Sequence, residues 1–454
     1  MIIVTESAAA LKGWLAKTSL SALGRLMVMR MVLAFILHRG RMSCSQAAGS
    51  VASESIHRGE LTRFLARPRW QKLDFNSPLR AALLQKENCR GKFLFLIDAT
   101  LVSQSGKKTQ NTHSTGNRKR RPTKGRRYNK KKVVFKNCHS FTFGLLMTPS
   151  GIRIPYQVPH DSKEYCTEQG LAHRTTAEAA ADMIAALPLP KDAEVIVLGD
   201  TAYDAEVVQA VCEERGYTWI VPANPERVYE GPKGHRPRLR SRLKDWTSLS
   251  LKTIRLRAST GRYAKSRRLS QWRVGPKQKP REYYAHQERS EVRSVGRVQL
   301  VFSTMKPNLK TATPDDVKIL MTNAIHMSLS EVIELYSLRW QIELFFKELK
   351  STLGFAQYSF QSFDAVQAWV ATAITTVLYL ETLRAERLQD RRLSEDRRQW
   401  WETQRLHGLC AAFRQECTGR ELKYLSDRLK TPGGITKLQR LLTAAFPKEY
   451  RAAT

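Results

Sequence analysis

Phe93-Leu94-Phe95-Leu96-Ile97 is an apolar run with no polar alternation, and it leads straight into Asp98; Glu194-Val195-Ile196-Val197-Leu198-Gly199 repeats the arrangement and leads into Asp200. A strand that is apolar on both faces is stable only inside a sheet covered on both sides, which requires helices above and below it. The residues around the two runs supply the other parts of such a sheet. Ser140 to Met147 and Ile152 to Val158 read as strands joined by the turn Thr148-Pro149-Ser150-Gly151. Residues 175 to 187 are Ala-rich and read as a helix, and a helix over about 204 to 215 precedes a strand at Tyr217 to Val221. The order of strand and Asp, hairpin, helix, strand and Asp, helix, strand predicts an α/β fold with a mixed sheet flanked by helices. Both strands are expected to end at their aspartates, at the carboxyl edge where open α/β sheets carry their sites.

The texture changes on either side of this block. Residues 1–88 are expected to be helical, with apolar spacing over Ala8 to Lys17, Ala22 to His38 and Ile56 to Leu65. Two readings stand for them: a DNA-binding head, or a helical bundle that packs on the next domain, since no helix-turn-helix pattern stands out. Residues 89–226 form the first part of the core. Residues 227–312 carry short β-like runs (Leu251 to Leu256, Arg281 to Gln287, Arg297 to Thr304) among many cations, a β-rich basic insertion. Residues 313–388 return to the core, with a strand at Val317 to Met321 and a long helix from Leu329 to Leu353 opened by Ser328 and Glu331 in capping-box spacing. Residues 389–454 read as helical.

Lys and Arg total 76 against 41 Asp and Glu, a formal charge of +35 that draws in polyanions and makes nucleic acid the first partner to consider. The seven cysteines are scattered without a Cys-x-x-Cys pair, which fits reduced thiols in a cytoplasmic protein rather than a zinc site. No secretory signal pattern opens the chain. The apolar stretches Leu23 to Leu37 and Ala365 to Leu380 are interrupted or short, and read as buried helices rather than membrane spans.

On the helix after Ser328, Tyr336, Arg339, Glu343 and Lys350 are spaced by three, four and seven residues and fall on one face, while Leu335, Leu338, Ile342, Phe345, Phe346 and Leu349 line the adjoining side. Taken alone, a carboxylate among cations on such a helix reads as a set of i,i+4 salt bridges. Phosphoryl transfer assisted by two metal ions instead needs several carboxylates converging on hard cations, and Asp98, Asp200 and Glu343 are the candidates.

The string Tyr336-x-x-Arg339-x-x-x-Glu343-x-x-x-x-x-x-Lys350 resembles the Tyr-Arg-Glu-Lys signature of bacterial insertion-sequence transposases, the insertion sequence four family of cut-and-paste elements. Leu96-Ile97-Asp98-Ala99-Thr100 and Leu198-Gly199-Asp200-Thr201-Ala202-Tyr203 resemble the two Asp motifs of that family. The motifs come in the family's order, with the β-rich insertion before the Glu helix, over roughly residues 90 to 385. The resemblance implies a ribonuclease H-like catalytic core. Asp98, Asp200 and Glu343 would be catalytic ligands of two Mg²⁺ or Mn²⁺ ions, and Tyr336, Arg339 and Lys350 would hold DNA phosphates near the cut. It further implies metal-dependent cleavage at terminal inverted repeats, transfer of the freed 3′-hydroxyl into target DNA, and at least a dimer on double-stranded DNA, in the cytoplasm of a bacterium at its nucleoid. In some relatives an aromatic residue of the insertion stacks on a flipped base; Trp246, Trp272 and Phe302 are the candidates here.

The segment from Lys107 to Lys136 carries thirteen Lys and Arg and no acidic residue, so it cannot fold on itself and reads as a DNA-backbone contact or as a solvated loop. His113 and His139 read as ordinary polar residues. Two rival functions stand beside transposition: a ribonuclease H-like nuclease that selects DNA structure and does not join strands, and a non-catalytic DNA-binding descendant, against which the intact carboxylates argue.

Overall fold

The computed structural model describes residues 5–38, 42–49, 57–67, 74–87, 91–104, 106, 108–115, 136–230, 235–243, 251–256, 281–306 and 313–436. Five helices open it: α1 (Thr5–Leu15), α2 (Ala22–Leu37), α3 (Cys44–Gly49), α4 (Arg58–Leu65) and α5 (Ser77–Leu84). The core follows with β1 (Lys92–Ser103), β2 (His113–Thr115), β3 (Lys136–Met147), β4 (Arg153–His160), α6 (Lys163–Gln169), α7 (Thr176–Ala185), β5 (Glu194–Leu198), α8 (Glu206–Glu214) and β6 (Thr218–Pro222). Then come α9 (Leu239–Arg242), β7 (Lys252–Leu256), β8 (Arg281–Val292), β9 (Gly296–Thr304), β10 (Lys318–Thr322), α10 (Leu329–Ser337), α11 (Trp340–Ser351), α12 (Phe363–Gln389), α13 (Glu395–Thr403) and α14 (Leu406–Leu429).

All ten strands belong to one sheet in the order β2-β3-β1-β5-β6-β10-β9-β8-β7, with β4 paired to β3. The β1, β5 and β6 strands are parallel, and the remaining pairs are antiparallel. The fold is therefore the mixed sheet flanked by helices that the apolar runs predict. The strands of the basic segment add to the edge of that same sheet through β9 and β10.

β1 does not stop at Asp98, as expected from its apolar run. Phe93 to Ile97 are buried without a break, and beyond Asp98 the strand continues with alternate residues exposed. The change follows from its neighbours: parallel pairing with β5 ends at Leu96↔Leu198, whereas antiparallel pairing with β3 continues to Ser103↔Cys138. The chain thus passes from a doubly covered strand to a half-covered one at the aspartate.

The N-terminal helices are packed into the body. α2 is buried nearly all round and lies on α12 and α14, and Asn76, which precedes α5, donates to the Ala371 carbonyl of α12 at 3.0 Å. α12 is a described helix long and apolar enough to cross a membrane, and 83% of its apolar window is buried inside the fold. The six described cysteines are thiols.

Candidate active site

The site is assembled by sheet register and one helix junction. Asp98 lies two residues beyond Leu96, and Asp200 two beyond its parallel partner Leu198, so the two carboxylates leave the sheet at the same level. Asp200 caps a single 3-10 turn, Thr201–Tyr203, its Oδ1 accepting from the Ala202 N–H at 2.9 Å. The turn folds Tyr203 back over Gly199, where a Cβ would meet the Tyr203 Cβ at 2.8 Å, so the glycine permits the close approach.

The helix expected from Leu329 to Leu353 is two helices. Between α10 and α11 the N–H groups of Leu338, Arg339, Gln341 and Ile342 bond to carbonyls three residues back instead of four. Such 3-10 winding turns the chain faster than an α-helix and resets which side chains share a face. Half of the expected capping box is formed: Ser328 Oγ accepts from the Glu331 N–H at 3.3 Å, but the Glu331 carboxylate pairs with Lys92 at 3.1 Å.

At this junction Arg339 reaches both outer carboxylates. Its Nη1 donates to Asp98 Oδ2 at 3.2 Å and its Nη2 to Glu343 Oε1. One guanidinium therefore spans two carboxylates that are remote in sequence. Asp98 Oδ1 also accepts from the Ala99 N–H at 2.8 Å. Burial pushes the Asp98 carboxyl up to about 6; the Ala99 N–H and Arg339 work against the shift, and the negative charges of Asp200 and Glu343 reinforce it. That repulsion marks three carboxylates within electrostatic reach of one another.

Of the other signature residues, Tyr336 is half-buried beside Arg339, and burial pushes its phenol up to about 12. Lys350 is apart from the carboxylates: its Nζ donates to the Leu101 carbonyl on the far part of β1 at 3.0 Å. Lys318, at the start of β10, is a cation of the site that the motifs do not point to. Its ammonium lies over the Tyr336 ring, 5.2 Å from the centroid, in the fields of Arg339, Glu343 and Asp200. A lysine opening a strand looks like any solvated strand end, so no local signal could have found it.

Among the aromatic candidates, Phe302 is fully buried in β9 opposite Ile319 and cannot stack on a base. Trp246 and Trp272 lie outside the described residues, as does most of the segment from Lys107 to Lys136. His139 is buried between the Tyr358 hydroxyl and the Gln110 carbonyl, each at 2.9 Å, as a structural residue.

Asp98 and Glu343 carry the hard oxygen donors that divalent cations take, and a positive group, the Arg339 guanidinium, stands between them. Among the described residues no group of three His, Cys, Asp or Glu side chains is gathered closely enough to hold a metal ion; Arg339 bridges two of the three carboxylates.

A family model described as a transposase DDE domain matches residues 91–379, from the first residue before β1 into α12. No curated protein matches the chain. The matched stretch holds both aspartate strands, the Glu helix and the whole central sheet, and it covers well over half of the 454 residues; the chain belongs to the DDE transposase family, with the family's ribonuclease H-like fold.

Proposed function

We propose that this transposase is of the insertion sequence four type with the Tyr-Arg-Glu-Lys signature, cutting DNA at the terminal inverted repeats of its element and joining the freed 3′-hydroxyls to target DNA. Asp98, Asp200 and Glu343 are the catalytic carboxylates and the ligands of Mg²⁺ or Mn²⁺. Bound there, such ions would stabilise the negative charge that develops in a phosphoryl displacement. The single observation that carries the reading is the Arg339 bridge, which joins Asp98 of β1 to Glu343 of α11 beside Asp200.

The chain's own part begins with that bridge. Arg339 offsets part of the negative charge of Asp98 and Glu343. A planar guanidinium pairs with phosphate as readily as with carboxylate, so an arriving DNA phosphate offers it a new partner and frees the two ligands. Tyr336 backs Arg339 from α10 beside the scissile phosphate, and Lys350 adds a positive charge farther along β1; together Tyr336, Arg339 and Lys350 form the DNA-binding set. The charge of +35 supplies the sequence-independent part of the affinity. Two ends and one target require at least a dimer on double-stranded DNA. The working divisions are a helical region at 1–88 that contributes to DNA binding, a core at 89–226 and 313–388, a basic β-rich insertion at 227–312 and a helical region at 389–454. The protein acts in the cytoplasm, at the bacterial nucleoid.

The test is single-turnover cleavage and strand transfer on a duplex carrying the element's own terminal repeat. Wild-type protein should cut and join with Mg²⁺ or Mn²⁺ and stop in excess chelator. Glu343→Gln should bind the duplex and not cut it. Cutting that survives the chelator would end the metal assignment, and cutting without joining would leave a structure-selective nuclease.

A further inference from the structure

Beside the carboxylates opens a cavity of about 430 Å³ between the α10–α11 junction and the β8, β9 and β10 strands. Four cations line it: Arg281, Lys306, Lys318 and Arg339. One carboxylate, Asp316, lines it with them, and it is held by Lys306 at 2.6 Å. Among the described residues neither Arg281 nor Lys318 has an acidic partner, and the partners of Arg339 are the two carboxylates of the site. Four cations against one carboxylate in a walled cleft create a positive field that attracts an anion. An anion that must be continuous with the reacting phosphate is a polyphosphodiester.

We infer that this cleft is a second DNA-backbone site, continuous with the active site, in which Lys318 contacts a phosphate next to the scissile one. The inference rests on the reading of the protein as a DNA-cutting transposase. The ammonium of Lys318 is held over the face of Tyr336, so it is preoriented rather than free on its stem, and part of the ordering cost of a phosphate contact is met before DNA arrives. Its position on β10 fixes it to the sheet that carries the catalytic strands, whereas Arg339 approaches from the helix side. A phosphate between them meets cations from two elements, which sets the strand's path over β10 as well as its distance from Glu343. Arg281, at the first residue of β8, continues the same track outward.

The experiment uses the full-length protein and a duplex with the element's terminal repeat, with neutral methylphosphonates introduced one at a time around the cleavage point. Lys318→Ala should lower the slope of log affinity against log salt by about 0.9, the value for a single phosphate no longer neutralised by the protein. Lys318→Arg should keep the slope. At one substituted phosphate near the cut, Lys318→Ala should cost no further affinity, because the methylphosphonate there carries no charge for the lysine to meet. Arg281→Ala should show the same behaviour at a different phosphate, farther from the cut. An unchanged slope in folded Lys318→Ala, or affinity losses that add at every substituted phosphate, would overturn the inference. Glu343→Gln is the control for the reading beneath it: if wild type and Glu343→Gln cut alike, that reading fails, while the slope and the phosphate map still decide Lys318 by binding alone.

Discussion

On one side of α11, Arg339 joins Glu343 to Asp98; on the other, Glu348 lies near Arg153 at 3.9 Å and Arg405 at 3.4 Å, while Arg153 and Arg384 close on Glu381 at 2.9 and 2.5 Å. The residue types are the same and the surroundings are not. In the second cluster the side chains of Arg153, Glu348, Glu381 and Arg384 are 5%, 7%, 0% and 1% exposed, and further bonds to the Gln404 and Gly151 carbonyls are made within the protein. In the first, Arg339, Asp98 and Glu343 are 16%, 16% and 31% exposed, and Arg339 lines a cleft. Apart from Arg405, whose side chain is 32% exposed, the second network is enclosed, and it fixes α11 and α12 against β4. A cluster at a cleft can trade its internal cation for one from solution, and its internal carboxylates for a phosphate. Burial, rather than residue type, separates the two clusters.

The contrast breaks most visibly at Glu343. Glu343→Gln should slow single-turnover cutting by about three orders of magnitude or more, since a metal ligand supports several kcal/mol of transition-state charge stabilisation. Its thermal midpoint should stay near that of wild type. A variant that cuts normally would reduce the Arg339–Glu343 pair to an ordinary i,i+4 bridge.

Glu381→Ala should do the reverse. Two arginines lose their buried counter-charge, and breaking such a network costs about 3–5 kcal/mol of folding stability. Denaturant unfolding measures it, and cutting by the fraction that remains folded should be close to normal. A loss below about 1 kcal/mol would mean that the enclosed cluster behaves like a surface one.

Arg339→Ala belongs to the accessible side but removes no ligand. Cutting should fall by roughly 10- to 100-fold through loss of phosphate positioning. Mn²⁺ should bind the DNA-free variant more tightly than wild type, read by electron paramagnetic resonance, because the internal competitor for Asp98 and Glu343 is gone. Weaker or equal Mn²⁺ binding would show that the guanidinium is not a stand-in for the ion.

The smallest effect is a pH dependence of stability without metal. The folded-state pKa of Asp98 lies at about 6, above its ordinary 3.8, so folding favours the protonated form. Its contribution to stability is full below about pH 4 and is lost as pH rises through 6. Asp98→Asn should therefore raise the thermal midpoint of the metal-free protein at pH 7.5 and leave it unchanged near pH 4. A difference that is the same at both pH values would exclude the burial of the Asp98 charge as its cause.

The parts of the site differ in how far they can be read from residue order. Asp98 and Asp200 stand out because an unbroken apolar run marks a doubly covered strand, and the run's end marks where cover stops. The Arg339–Glu343 contact follows from i,i+4 spacing. The division of the long helix is not legible, since Leu335 to Ile342 keep helical apolar spacing straight through the 3-10 junction. Phe302 misleads because an aromatic residue in a basic, β-rich stretch looks available, whereas β9 is an interior strand of the extended sheet. Lys318 carries no signal at all, because its neighbours in the cleft come from β8, β9, α10 and α11.

By itself the sequence determined the alternation of covered strands and helices, the two apolar runs that lead into Asp98 and Asp200, and the polyanion-seeking charge, all of which depend on local pattern and composition. Only the tertiary structure decided that β7, β8 and β9 extend the central sheet, that α2 is packed on α12, that Arg339 bridges Asp98 and Glu343, and which cations share the cleft. The reason is physical. Periodicity reports which face of an element is buried, but a salt bridge or a cleft depends on which distant element covers that face, and that is fixed by strand register and helix packing across the whole chain.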